Sequence, residues 1–249
     1  MTPIEPAPPF FQSRAARVTL LMACLYSCTG ITLVFLPRWL AGERALTGAA
    51  IGALLALSQV ARIGVGPAIA FWADGHADRR TPIRLLAPAA LAAFAAFFFL
   101  AHGFTALLVT GFVALALMNA MTPLVESAVL RATARGRVTY GFARGLGSIS
   151  FIISNVGGGF LIARFGLDAV VVWVLVALAM VALTAWRALM PDPPLAAAHA
   201  LTPQARAEAV RALLRNRRFV TLIVSCGLIQ AGHGFYYGFS TLVWRGQGL

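Results

Sequence analysis

The sequence has no lysine, only eight carboxylates and only three cysteines among 249 residues. Each scarcity excludes something. Charged residues are 11% of the chain, where a soluble domain carries about a quarter, so the chain lacks the polar surface to face water all round. Cys24, Cys28 and Cys226 all fall inside apolar runs. They have neither the spacing of a disulfide framework nor that of a zinc site, and read as small buried hydrophobes. The roughly ten-residue alternating segments of a membrane barrel are missing as well. HExxH, GxSxG and paired-carboxylate arrangements are absent, so no enzyme, metal site or cofactor is expected. A phosphate-binding loop is excluded too, because no strand precedes the glycines and no Gly-Lys-Ser/Thr follows them. Met1 to Gln12 is proline-rich and the first apolar run continues into a full span, so a cleaved signal peptide is not expected.

What is abundant is apolar: 60% of residues, with a mean hydropathy of +0.83. These residues fall in runs of about 20, the length that crosses roughly 30 Å of hydrocarbon as a helix. The sequence therefore predicts an all-α polytopic membrane protein. Seven spans are expected, at 18–40, 47–73, 83–102, 104–130, 138–163, 167–189 and 219–244.

All 20 basic residues are arginine, and the formal charge is +12. Most lie in short segments between spans, which argues against a nucleic-acid partner. One side collects Arg14, Arg17, Arg79, Arg80, Arg84, Arg131, Arg135, Arg137, Arg187 and the arginines of 206–218. The other holds only Arg38, Arg44, Arg164 and Arg245. The basic side is cytoplasmic, which predicts a multi-pass protein of a bacterial inner membrane with a cytoplasmic N-terminus.

Four segments follow: a tail over 1–17, a six-helix half over 18–189, a cytoplasmic linker over 190–217, and a seventh span within 218–249. Thr202-Pro203 has the form of a helix start. The basic amphipathic helix expected after it would lie on the cytoplasmic leaflet beside anionic lipids. Gly48/Gly52, Gly141/Gly145, Gly157–Gly159 and Gly234/Gly238 are expected to let helices approach closely. Gly66-Pro67 and Pro123 are expected kinks.

Ionisable groups inside the hydrocarbon are costly and therefore candidate functional groups. Arg62 lies about 12 residues, hence about 18 Å, from the edge at Asp74, near the midplane. Glu126 precedes a basic loop and Arg144 follows it, at similar depth on adjacent antiparallel helices, so the two can pair. Two arginines against one carboxylate leave a positive charge that an anionic substrate would satisfy. His233, followed by Tyr236 and Tyr237, has a side chain whose ordinary pKa suits proton transfer.

Three stretches resemble the major facilitator superfamily, and within it the phenylpropionate permease-like branch, related to oligosaccharide and nucleoside proton symporters. They are GITLVFLPRWLAG near the end of the first span, PLVESAVL (123–130) followed by YGFARGLGSISF (140–151), and LIQAGHGFYYGFSTLVW (228–244). The helix 2–3 loop signature is degraded: WADGHADRR keeps Asp74, Arg79 and Arg80, but Ala70 and Gly75 depart from the usual pattern. The resemblance implies a six-helix N-terminal bundle, a linker and one helix of a second half. It implies substrate- and proton-linked roles for Glu126 and Arg144, a cavity-facing His233 and a gating loop at Asp74, Arg79 and Arg80. Together with the charge count, the expected substrate contacts are Arg62, Glu126, Arg144 and Tyr237, and the expected proton-coupling residues Glu126 and His233.

The function expected from sequence is proton-coupled symport of a small organic anion, with a phenylpropionate-like aromatic monocarboxylate first. A sugar or nucleoside symporter is the alternative, and a non-transporting scaffold or sensor comes from a different class. The chain is expected to be a fragment, because family members have about twelve helices with the site between two halves.

Overall fold

The computed structural model describes residues 14–76, 80–133, 138–187, 189 and 203–246. All regular structure among them is helical. The order is α1 (Arg14–Glu43), α2 (Gly48–Asp74), α3 (Arg80–Ala95), α4 (Gly103–Thr133), α5 (Tyr140–Phe165), α6 (Asp168–Arg187), α7 (Pro203–Arg215) and α8 (Arg217–Gly246). α3 continues directly into a π-helical turn, Ala96–Leu100. By length and composition, α1, α2, α3 with its π turn, α4, α5 and α6 are each long and apolar enough to cross a membrane.

The helix ends follow local chemistry. Thr47 Oγ1 accepts from Ala50 N–H, and Thr139 Oγ1 accepts from Phe142 N–H, so each threonine serves one donor of an open first turn. Gly103, at φ +77°, opens α4, and Gly166, at φ +80°, closes α5. Both turns need a residue free of the Cβ penalty at positive φ. Pro37, Pro67, Pro88 and Pro123 all lie inside helices, which lipid-embedded helices tolerate where neighbours satisfy the freed backbone groups.

The chain divides into two compact units, residues 1–193 and 194–249. In the first, α1 packs on α4, α5 and α6, while α4 packs on α1, α2 and α3; α3 also meets α6. Exchanging each helix for the one three positions later maps α1–α5 onto α4–α2 and α1–α6 onto α4–α3. The main helix contacts are thus preserved under that exchange.

Glycines set the tightest approach, though only some of those expected. A side chain at Gly30 would meet the Phe151 carbonyl at 2.9 Å, one at Gly147 would meet Met22 and Tyr26, and one at Gly158 would meet Ile31 and Phe35. These positions let α1 and α5 come together. Gly157 lies against Trp173. Gly48, Gly52, Gly141 and Gly145 set no close approach among the described residues: a methyl group at any of them would meet nothing within 4 Å. The reason is rotational. α5 turns Ala143, Gly147, Ser154, Gly158 and Ile162 inward, and the 141/145 face points elsewhere. Gly234 and Gly238 lie outside the described side chains.

Two polar ties hold the bundle at its edges. Arg84 of α3 donates from Nε to the Ala185 carbonyl at 2.8 Å and from its guanidinium to the Trp186 carbonyl, and it lies 5.3 Å from the centre of the Trp186 ring. It thus satisfies carbonyls in the open last turn of α6. Arg44, after α1, donates to the Phe98 carbonyl in the π turn and sits 5.0 Å from the Trp39 ring centre. Trp39, Phe94, Phe97 and Phe98 form a buried aromatic cluster beneath it.

The second unit is α7 followed by α8. Asn216 breaks the chain between them, and its Oδ1 accepts from Arg218 N–H at 3.0 Å. Leu213 and Leu214 of α7 are exposed beside Arg211 and Arg215. The seventh predicted span corresponds to the 30-residue α8. Most side chains from Tyr237 onward lie outside the described residues.

Candidate functional site

Glu126 and Arg144 come together as their spacing predicts. Arg144 Nε lies 3.6 Å from Glu126 Oε1, joining α4 to α5, and both side chains are about one-third exposed. Arg144 also donates from Nη1 to Ser148 Oγ at 2.9 Å, one turn along the same helix.

A third residue completes the site, and sequence reasoning missed it. Tyr26 of α1 donates its hydroxyl to Glu126 Oε1 at 2.5 Å. Its ring also lies beneath the guanidinium, with Arg144 Cζ 4.5 Å from the ring centre. Gly147, three residues after Arg144, lies against the same ring, where a Cβ would stand in ordinary contact at 3.5 Å. The one available signal is an aromatic hydroxyl inside an otherwise apolar span, since such a group seeks a partner when removed from water.

The three groups satisfy one another. The carboxylate accepts from a phenol and pairs with a guanidinium, the guanidinium also donates to a hydroxyl, and the ring contributes its electron-rich face. The two charges offset one another, and both side chains remain partly exposed.

The other predicted site residues are not assembled with this trio among the described side chains. Arg62 is on α2 and Tyr237 on α8, but both side chains lie outside the description. His233 is exposed on α8, its Nδ1 2.9 Å from the Ile229 carbonyl one turn back. Asp74 closes α2 and Arg80 opens α3, so they flank the predicted gating loop, whereas Arg79 lies outside the described residues. Among the described residues, no group of three or more His, Cys, Asp or Glu side chains is placed to hold a metal.

The bundle covers its helices unequally. In the most apolar stretch of α2 only 12% of residues are buried, and in α5 22%, against 50% in α1 and in α6. Arg144 and Ser148, with the open Gly141 and Gly145, belong to the less covered α5.

No solved structure matches the chain. It is 29% identical over 220 residues to the maltose permease of Geobacillus stearothermophilus, an alignment covering 86% of this chain and 54% of that protein. The chain thus spans about half the length of the curated relative it matches. Residues 17–247 match the MFS_1 like family. With six helices apolar and long enough to cross a membrane and a family match over nearly its whole length, this chain belongs to the MFS_1 like family of the major facilitator superfamily.

Proposed function

We propose that the protein is the substrate-binding half of a proton-coupled secondary transporter, with Tyr26, Glu126 and Arg144 as its solute- and proton-linked site. The observation that carries this reading is the three-way contact itself: a carboxylate, a guanidinium and a phenol converge from three different spans, one of them the sparsely covered α5. Ionisable groups are held inside spans at a cost, and function is the ordinary reason to keep them.

The two solute classes differ in how they would use the trio. Sequence counting favours an organic anion because one arginine has no carboxylate. In the bundle Arg144 is already neutralised by Glu126. A neutral, hydroxylated solute such as a sugar fits better, since each hydroxyl both donates and accepts and so bridges carboxylate and guanidinium. The similarity to a maltose permease supports the same class. An aromatic monocarboxylate remains the second reading, favoured by Arg62 on α2. In that case a proton on Glu126 would release Arg144 to the substrate carboxylate.

A second six-helix bundle would pack on the less covered α2 and α5, where the open Gly48, Gly52, Gly141 and Gly145 leave room for close approach. Asp74, Arg79 and Arg80 would close the cytoplasmic side. His233 and Tyr237 of α8 are carried as a proton-coupling and a substrate-contact candidate. α7, with Arg211 and Arg215, would rest on anionic lipids of the cytoplasmic leaflet of a bacterial inner membrane.

Uptake of labelled maltose and labelled phenylpropionate into cells expressing the protein paired with a second transporter half, with and without an uncoupler, tests the reading. Uncoupler-sensitive maltose uptake that falls by about a hundredfold in Arg144→Gln would support it, the scale of losing a charged partner. Phenylpropionate uptake alone would select the second reading. Uptake of neither solute, or uptake indifferent to both Glu126→Gln and Arg144→Gln, would reject this site.

A further inference from the structure

On the other flank of α5 lies a groove that the transport site does not use. α5 and α6 both pack against α1 but meet each other far less extensively. The gap between them has a volume of about 780 Å³. Ile153 and Leu161 form one wall, Val172 and Val176 the other, and Ala23 and Ser27 of α1 lie at its floor. Trp173 donates its indole N–H to Ser27 Oγ at 3.0 Å, so the largest polar donor in the groove is already satisfied. A polar solute finds little here to bind. A hydrocarbon chain does.

Depth and charge narrow the occupant. From Asp168 to Met180, both lining residues, the groove follows α6 for about 18 Å at 1.5 Å per residue. The hydrocarbon of one leaflet is roughly 15 Å deep, half of the usual 30 Å. The groove therefore takes the full length of an acyl chain that enters at the α5–α6 turn. At this mouth stand two opposite charges. Arg164 is exposed, its Cζ 5.6 Å from the ring centre of Phe165, a lining residue. Asp168 is exposed at the start of α6. No ion pair joins the two among the described residues.

In a bilayer the tail gains nothing from the groove that neighbouring lipid does not also offer. Residence of one lipid must come from its headgroup. A guanidinium and a carboxylate at one mouth complement a phosphate and a primary ammonium on one molecule. We propose that this groove holds a membrane phospholipid with a primary-amine headgroup, its phosphate at Arg164, its ammonium at Asp168 and one acyl chain between α5 and α6. A choline headgroup has no N–H to give Asp168, and an anionic glycerol headgroup has no positive charge to set against it.

The test uses the whole chain in nanodiscs of equal parts phosphatidylethanolamine, phosphatidylcholine and phosphatidylglycerol, with retained lipid counted by native mass spectrometry. Phosphatidylethanolamine should be enriched about threefold or more over either competitor, as charge-assisted hydrogen bonds imply. Asp168→Asn should bring it level with phosphatidylcholine, and Arg164→Gln should lower retention of all three. A photo-crosslinker at Val176 should attach to lipid, and Val172→Trp should abolish that adduct. The crosslink does not depend on how the two mouth variants fold. Retention that mirrors the bulk mixture, or that favours phosphatidylglycerol, would overturn the proposal. So would crosslinks at position 176 that go only to protein, because a helix would then cover the groove.

Discussion

The Tyr26 hydroxyl of α1 donates to Glu126 Oε1 of α4 at 2.5 Å, while the same ring lies under the Arg144 guanidinium of α5. One side chain thus ties three helices by two different interactions, and they separate by substitution. Tyr26→Phe keeps the ring and loses the donor. It is expected to cost about 1 kcal/mol of bundle stability, the scale of a hydrogen bond between helices in a membrane. Tyr26→Leu also removes the ring and should cost roughly 1 kcal/mol more. Unfolding midpoints in detergent for both variants check this, and equal midpoints would show that the ring contact contributes nothing.

Glu126→Gln keeps the shape of the site and removes its charge. If Glu126 carries the coupled proton, solute exchange at equilibrium should persist, while accumulation driven by a proton gradient should fall by about tenfold or more. Parallel exchange and accumulation assays check this. Loss of both to the same degree would assign Glu126 to solute binding instead.

Arg84→Ala should leave the Ala185 and Trp186 carbonyls without their donor. The expected loss is about 1–3 kcal/mol, the cost of unpaired backbone groups. Arg84→Lys should recover only part of it, because one ammonium cannot reproduce the planar fork that reaches both carbonyls. Thermal unfolding of the two variants in the same detergent distinguishes them.

The glycines offer a contrast within one helix pair. Gly30→Ala places a methyl group 2.9 Å from the Phe151 carbonyl, a backbone atom that cannot swing away. It should destabilise the α1–α5 contact by about 1–3 kcal/mol, the usual cost of overpacking. Gly145→Ala meets nothing in this bundle. It should leave stability unchanged or raise it by up to about 1 kcal/mol through helix propensity. If Gly145→Ala nonetheless lowers transport, its open face serves a partner beyond the six helices. Unfolding midpoints and uptake rates, measured together, check both statements.

Removing the Arg44 side chain tests the π turn. Arg44→Met keeps apolar length over Trp39 but leaves the Phe98 carbonyl without its donor. A loss of about 1–3 kcal/mol is expected, with faster amide exchange confined to Ala96–Leu100. Unchanged exchange there would mean that the aromatic cluster alone holds the turn.

The sequence by itself determined the helices, their number in the first unit and the pairing of Glu126 with Arg144. It could do so because a span has a length set by the bilayer and because charges in hydrocarbon are few enough to stand out. It also anticipated the α7 start at Pro203. What only the tertiary structure decided was rotation: which face of each helix meets which neighbour. A soluble helix reveals its inner face through a stripe of apolar residues. A span that is apolar all round carries no such stripe, so Gly147 and Gly158 could not be told from Gly141 and Gly145. For the same reason Tyr26 gave no sign of its two partners until α1, α4 and α5 were brought together. The π turn at Ala96–Leu100 was likewise settled by contacts remote in sequence, with Arg44 and the aromatic cluster around it.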